Sequence, residues 1–230
     1  MIYPGFAIVA VVLTFPIWST FQTEALATAF LVISGVMASV LLHEFAHLIA
    51  SRRMKQTPLY IKLHASGGEA VFIEGQLSPA DHQVIALAGP LANIVIGVGI
   101  LAFYFLLVPD PAANFVPTDG QPWSTPPPQR DPVAFRALQW IGWSNIVFAV
   151  VNLLPAFPLD GGWYAFYEIE KRYGYASALA FVGWAGICFS IVSVLVFCAG
   201  ALAGFVLLLP PDFAPNWKAV KEARKVRRGI

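Results

Sequence analysis

Leu41-Leu42-His43-Glu44-Phe45-Ala46-His47-Leu48 is the stretch from which the rest of the chain is read. His43 and His47 stand four residues apart, so on an α-helix both imidazoles project from one face, one above the other. That spacing lets two ring nitrogens share one zinc ion, with Glu44 beside the open coordination position as a candidate base for a water there. The surroundings are apolar: residues 28–51 are long enough to cross a bilayer, which takes roughly 20 residues. HExxH is short enough to recur by chance on the wetted face of a soluble helix. A membrane span has no wetted face, and an ionisable group at its centre costs on the order of 3 kcal/mol, so such groups mark function.

The composition supports a membrane setting. The 230 residues are 58% hydrophobic and 12% charged, about half the charge of a soluble domain, which describes a multi-pass integral membrane protein. The net charge of +1 says little, but its placement is informative: Arg52, Arg53 and Lys55, then Lys171 and Arg172, then a dense run from Lys218 to Arg228. No basic stripe interleaved with aromatics points to nucleic acid. The last cluster reads as a juxtamembrane anchor to anionic lipid. Cys188 and Cys198 lie in apolar sequence without metal or disulfide spacing and read as packing residues.

Taken in order, the chain reads as one membrane domain over 1–230. Residues 6–21 form a first span, since Met1 to Gly5 lacks the positive n-region of a signal peptide. The second span, 28–51, carries the pentad to Arg52-Arg53, which the positive-inside rule places on the cytosolic side. That sets the site roughly 8–13 Å inside the boundary at 1.5 Å per residue. Residues 58–75 are too short and polar to span. Partial alternation on either side of Ser66-Gly67-Gly68 predicts a membrane-associated β-hairpin. Its edge is either structural or open to an extended peptide by strand addition.

Ser78 as N-cap and Pro79 at the first position open the third span, 79–108. Gly89, Asn93 and Gly97 make a small-residue stripe on it, admitting a neighbouring helix; Asn93 either bonds across that contact or lines the metal cleft. Residues 109–132, with Pro126-Pro127-Pro128, read as an extended extracytosolic loop. The fourth span, 135–155, runs into Asn152-Leu153-Leu154-Pro155-Ala156-Phe157-Pro158-Leu159-Asp160-Gly161-Gly162. The prolines break the helix, and the Gly pair is expected to turn the backbone after Asp160. Asp160 then lies at the depth of the pentad, and a carboxylate is the ligand that an HExxH pair still lacks. Residues 175–209 hold one or two further spans. Basic residues on both flanks call for an even number of crossings, hence two short spans turning near Ala199-Gly200. Residues 212–230 read as a basic cytosolic tail.

With His43-Glu44-Phe45-Ala46-His47, Ala88-Gly89-Pro90-Leu91-Ala92-Asn93 and Asn152-Leu153-Leu154-Pro155 through Pro158-Leu159-Asp160-Gly161-Gly162 in view, the chain resembles the site-2 protease family of intramembrane zinc metalloproteases. The likeness covers about residues 28–172 and is to the compact form without PDZ or CBS domain; Ala46 stands where many members have Gly. The resemblance implies an α-helical polytopic membrane protein of about six transmembrane helices with a three-helix catalytic core. It implies one catalytic Zn2+ on His43, His47 and Asp160, with Glu44 as base. Asn152 and Asn93 would position substrate or stabilise the oxyanion, and the hairpin would clamp substrate. The implied substrate is a membrane-anchored protein such as a transcription regulator or anti-sigma factor, in a bacterial or archaeal cell membrane. A metal transporter would be expected to show internal repeats, and none is visible. A non-catalytic zinc-binding scaffold would be expected to have lost Glu44 or a ligand, and neither is lost.

Overall fold

The computed structural model describes residues 22–55, 57–64, 67–73, 77–107, 132–202 and 213–229. The expected first span at 6–21 and the proline-rich loop fall outside these residues. Helix α1, Thr23–Arg53, is followed by strands β1, Thr57–His64, and β2, Gly67–Ile73. Helices α2, Pro79–Leu107, α3, Val133–Asn152, α4, Asp160–Tyr173, α5, Tyr175–Leu202, and α6, Ala214–Arg228, complete the order. Among the described residues, α1, α2, α3 and α5 are long and apolar enough to cross a membrane.

The distribution of side chains is that of a membrane bundle. Large apolar groups such as Phe30, Val95, Leu106 and Leu195 face outward, while Ala29, Ser39, Asn93, Asn145 and Ala149 are buried between helices. Lipid offers no hydrophobic drive to hide large side chains, so small residues that let backbones approach occupy the contacts. A Cβ at Gly97 would press on Ile146 and on the Gly142 carbonyl, and one at Gly142 would press on Leu101, so α2 and α3 meet closely along this stripe. Cys188 and Cys198 correct the sequence reading. Both are exposed on α5 and neither packs inside.

Element ends have local causes. Helix α1 begins at Thr23, five residues ahead of the span expected from 28. Glu24 suits its positive N-terminus and pairs with Arg136 of α3 at 3.1 Å. Its other end is closed by Lys55 in the left-handed region, whose N–H donates to the Arg52 carbonyl. At the start of α2 the Asp81 N–H donates to Ser78 Oγ while Asp81 Oδ2 accepts from the Ser78 N–H, a reciprocal cap. Helix α3 stops at Asn152, short of the expected 155, because Pro155 disfavours helical backbone at the residue before it.

The two strands pair antiparallel from Thr57↔Ile73 to His64↔Gly67, with an irregularity between Pro58 and Tyr60. A proline cannot donate to the ladder, and bulges are where strands tolerate one. Both strands lie beside α1.

Two further expectations differ from the structure. Helix α5 runs through Ala199-Gly200 and does not turn there. A lone glycine costs a helix only about 1 kcal/mol and no proline enforces a break. The stretch read as a basic tail is helix α6, which docks on α5. Asn216, Ala219, Val220 and Ala223 recur at helical spacing and are buried, a stripe hidden within the charge run. Asn216 sits against Gly186, about 24 Å back along α5 from Leu202 at 1.5 Å per residue. Ala219 and Ala223 share a cluster with Ala178, Leu179 and Val182, so α6 packs on the half of α5 nearer Tyr175.

Candidate metal centre

The centre forms where the Arg52 end of α1, the start of α2 and the start of α4 meet. His43 and His47 lie one turn apart on α1, 3% and 7% exposed, with their Nε2 atoms 3.0 Å from each other. Asp160, the first residue of α4, places Oδ2 3.1 Å from His43 Nε2 and Oδ1 3.4 Å from His47 Nε2. The three candidate ligand atoms all fall within 4.8 Å of one another. Glu44 is buried beside them in the same helical turn.

Hydrogen bonding on the far side of each ring determines which nitrogen faces the centre. His47 Nδ1 lies 2.7 Å from the Ile85 carbonyl, which can only accept, so Nδ1 carries a proton and, in the neutral ring, Nε2 keeps the lone pair. His43 reaches the same state through a longer relay. The Asn145 amide nitrogen donates to the Ile141 carbonyl at 2.9 Å and to Ser39 Oγ at 2.9 Å, and Ser39 donates to the Gly35 carbonyl. Asn145 Oδ1 therefore faces inward and accepts from Asn93 Nδ2 at 3.1 Å. Asn93 Oδ1 is left facing His43 Nδ1 at 2.8 Å, and Nδ1 must donate. The polarity of the relay is imposed by backbone carbonyls at its end.

With both rings neutral, two imidazole lone pairs and a carboxylate converge, and nothing among them can donate. Such a set repels itself unless a cation lies between, and two neutral imidazoles with one carboxylate are a donor set that zinc accepts while keeping a fourth position open. The glycine at 89 makes the room: a Cβ there would collide with Nε2 of both histidines.

The structure brings together His43, His47, Asp160, Glu44 and Asn93. Asn152 is buried at the end of α3 and makes no hydrogen bond to His43, His47 or Asp160. Gly161 and Gly162 do not turn the chain as expected. They lie in the first turn of α4 without positive φ, and are small because Cβ atoms would strike the Leu153 and Ala156 backbone. Asn145, Ser39 and the role of Gly89 escaped the sequence reading. A buried amide inside an apolar span was the available signal for Asn145. Asn145→Leu is expected to weaken zinc binding roughly 10–100-fold, as loss of an outer partner does at other histidine sites. Competition titration with a zinc chelator would show it; unchanged affinity would mean that the relay does not orient His43.

The fold and centre define a class, a polytopic helical membrane protein with a candidate His-His-carboxylate metal site at the end of its spans. Residues 129–193 match the model of Peptidase family M50. Two curated relatives, each described as a putative zinc metalloprotease Rip3, come from the Erdman and H37Rv strains of Mycobacterium tuberculosis. Each is 28% identical over 129 residues, covering 55% of this chain and 28% of the relative. The chain thus matches little more than a quarter of their length. A solved structure, the site-2 protease from Methanocaldococcus jannaschii, shares the fold with a TM-score of 0.55 at 20% identity, over 97% of this chain and 88% of that one. Residues 129–193 are thus similar to Peptidase family M50, and the fold is that of the solved site-2 protease.

Proposed function

We propose that this protein hydrolyses a peptide bond in or near the transmembrane segment of a membrane-anchored protein. The observation that carries the reading is the convergence of three metal-binding lone pairs within 4.8 Å, next to a buried carboxylate, inside a membrane helix. Zinc bound there supplies a Lewis acid that lowers the pKa of its water toward 7 and polarises the scissile carbonyl. Glu44 accepts the proton of the attacking water and returns it to the leaving amine. Asp160, with its side chain 21% exposed, is the most accessible of the three ligands, so water reaches the centre past α4.

Both amide atoms of Asn93 are taken up by His43 and Asn145, which suits it to orienting His43. Asn152, free of that relay, is left as the donor for the oxyanion. A helical substrate must unwind before cleavage, and the outer edges of the β1–β2 pair, unpaired among the described residues, offer an extended segment backbone partners that offset part of that cost. A transcription regulator or anti-sigma factor of a bacterial or archaeal membrane is the substrate class that fits.

The test is cleavage of a panel of single-span substrates by purified protein, with zinc or chelator present. The expected result is zinc-dependent scission near the membrane segment. No cleavage of any substrate by zinc-loaded protein, together with metal flux into sealed vesicles, would replace the protease reading with a transporter.

A further inference from the structure

Asn216 of α6 lies beyond the stretch matched by the family model, yet it is fully buried and grips the loop that leads into Asp160. Its Oδ1 accepts from the Phe157 N–H at 2.9 Å, and its Nδ2 donates to the Phe157 carbonyl at 2.7 Å. Among the described residues, these are the hydrogen bonds that reach 155–159 from an element distant in sequence. The rest are local, from the Ala156 N–H to the Leu154 carbonyl, from the Leu159 N–H to the Ala156 carbonyl, and from the Gly162 and Trp163 N–H groups of α4 to the Leu159 carbonyl. Pro155 and Pro158 have no N–H to contribute. Asp160 follows Phe157 by three residues, so the clamp is the nearest point upstream of the carboxylate that is tied to a remote element. The fold makes a place for this amide: a Cβ at Gly186 of α5 would overlap the Asn216 carboxamide.

We propose that Asn216 is a positioning residue of the metal centre, holding both backbone groups of Phe157 so that the Asp160 carboxylate meets the two imidazoles. Only a carboxamide supplies the acceptor and the donor together at this length. Helix α6 is on this account part of the metal apparatus as well as a basic surface element. The inference rests on the His43–His47–Asp160 reading of the centre.

The experiment loads full-length protein with Co2+ as a spectroscopic probe and measures its visible spectrum and its release to chelator. Asn216→Asp keeps the shape and the acceptor but loses the donor and sets a carboxylate against the Phe157 carbonyl. Gly186→Ala displaces the amide without changing it. Val220→Ala loosens the same helix pair without touching the loop. Asn216→Asp and Gly186→Ala are expected to shift the spectrum toward that of Asp160→Asn and to release Co2+ at least about 10-fold faster. Val220→Ala is expected to match wild type. If Asn216→Asp does not fold, Asn216→Ala takes its place in the comparison. Equal spectra and release in all variants, or an equal shift in Val220→Ala, overturns the proposal while leaving the metal reading intact. Failure of wild type to take up one Co2+ overturns both.

Discussion

Glu44→Gln lowers substrate cleavage by about 10²–10⁴-fold, the range that a positioned general base contributes, and leaves one zinc per chain. Glu44 precedes Phe45, Ala46 and His47 on one turn of α1 and follows His43, so it shares the depth of both candidate ligands and is 3% exposed. On the proposed reading, its place in the HExxH pattern makes it the base and not a metal ligand. Glutamine keeps the size and loses the ability to take a proton. Metal content by atomic emission and cleavage rate are read on the same preparation. Loss of zinc together with activity would make Glu44 part of the metal-binding set; unchanged activity would remove it from the chemistry.

Gly89→Ala abolishes metal binding while leaving the helices in place. A methyl group at 89 occupies the space against which both Nε2 atoms rest, and a metal held by those atoms needs that space. Helix propensity runs the other way, since alanine favours a helix interior by about 1 kcal/mol over glycine. Zinc affinity is therefore expected to fall by more than the roughly 10–100-fold of an outer-partner loss, with helical circular dichroism unchanged. A Gly89→Ala protein that retains one tightly bound zinc would show that the centre does not lie where these nitrogens converge.

Much of the site was legible because its parts are local. The two histidines share a helix face by virtue of a four-residue interval. The Ser78–Asp81 cap and the Pro155 stop depend on neighbours within a few positions. The Gly pair after Asp160 was visible but misread: glycine signals either a turn or a close approach, and only the position of the Leu153–Ala156 backbone distinguishes them. The α6 stripe was hidden for another reason. Its buried residues are one asparagine, two alanines and one valine, too few apolar atoms to stand out from a run of lysines and arginines.

By itself the sequence determined that this is a membrane protein, which helix carries the pentad, and that Asp160 is the carboxylate at matching depth. Those conclusions rest on hydropathy and helical spacing, which are properties of short windows. The tertiary structure alone decided what supports the centre. Asn93 meets His43 across 50 residues, Asn145 meets Ser39 across 106, and Asn216 meets Phe157 across 59. A buried amide makes its bonds wherever helix packing puts a partner, and no period in the chain encodes that choice. The proton on His43 is accordingly set by a carbonyl of another helix, through a relay that exists only once α1, α2 and α3 have packed.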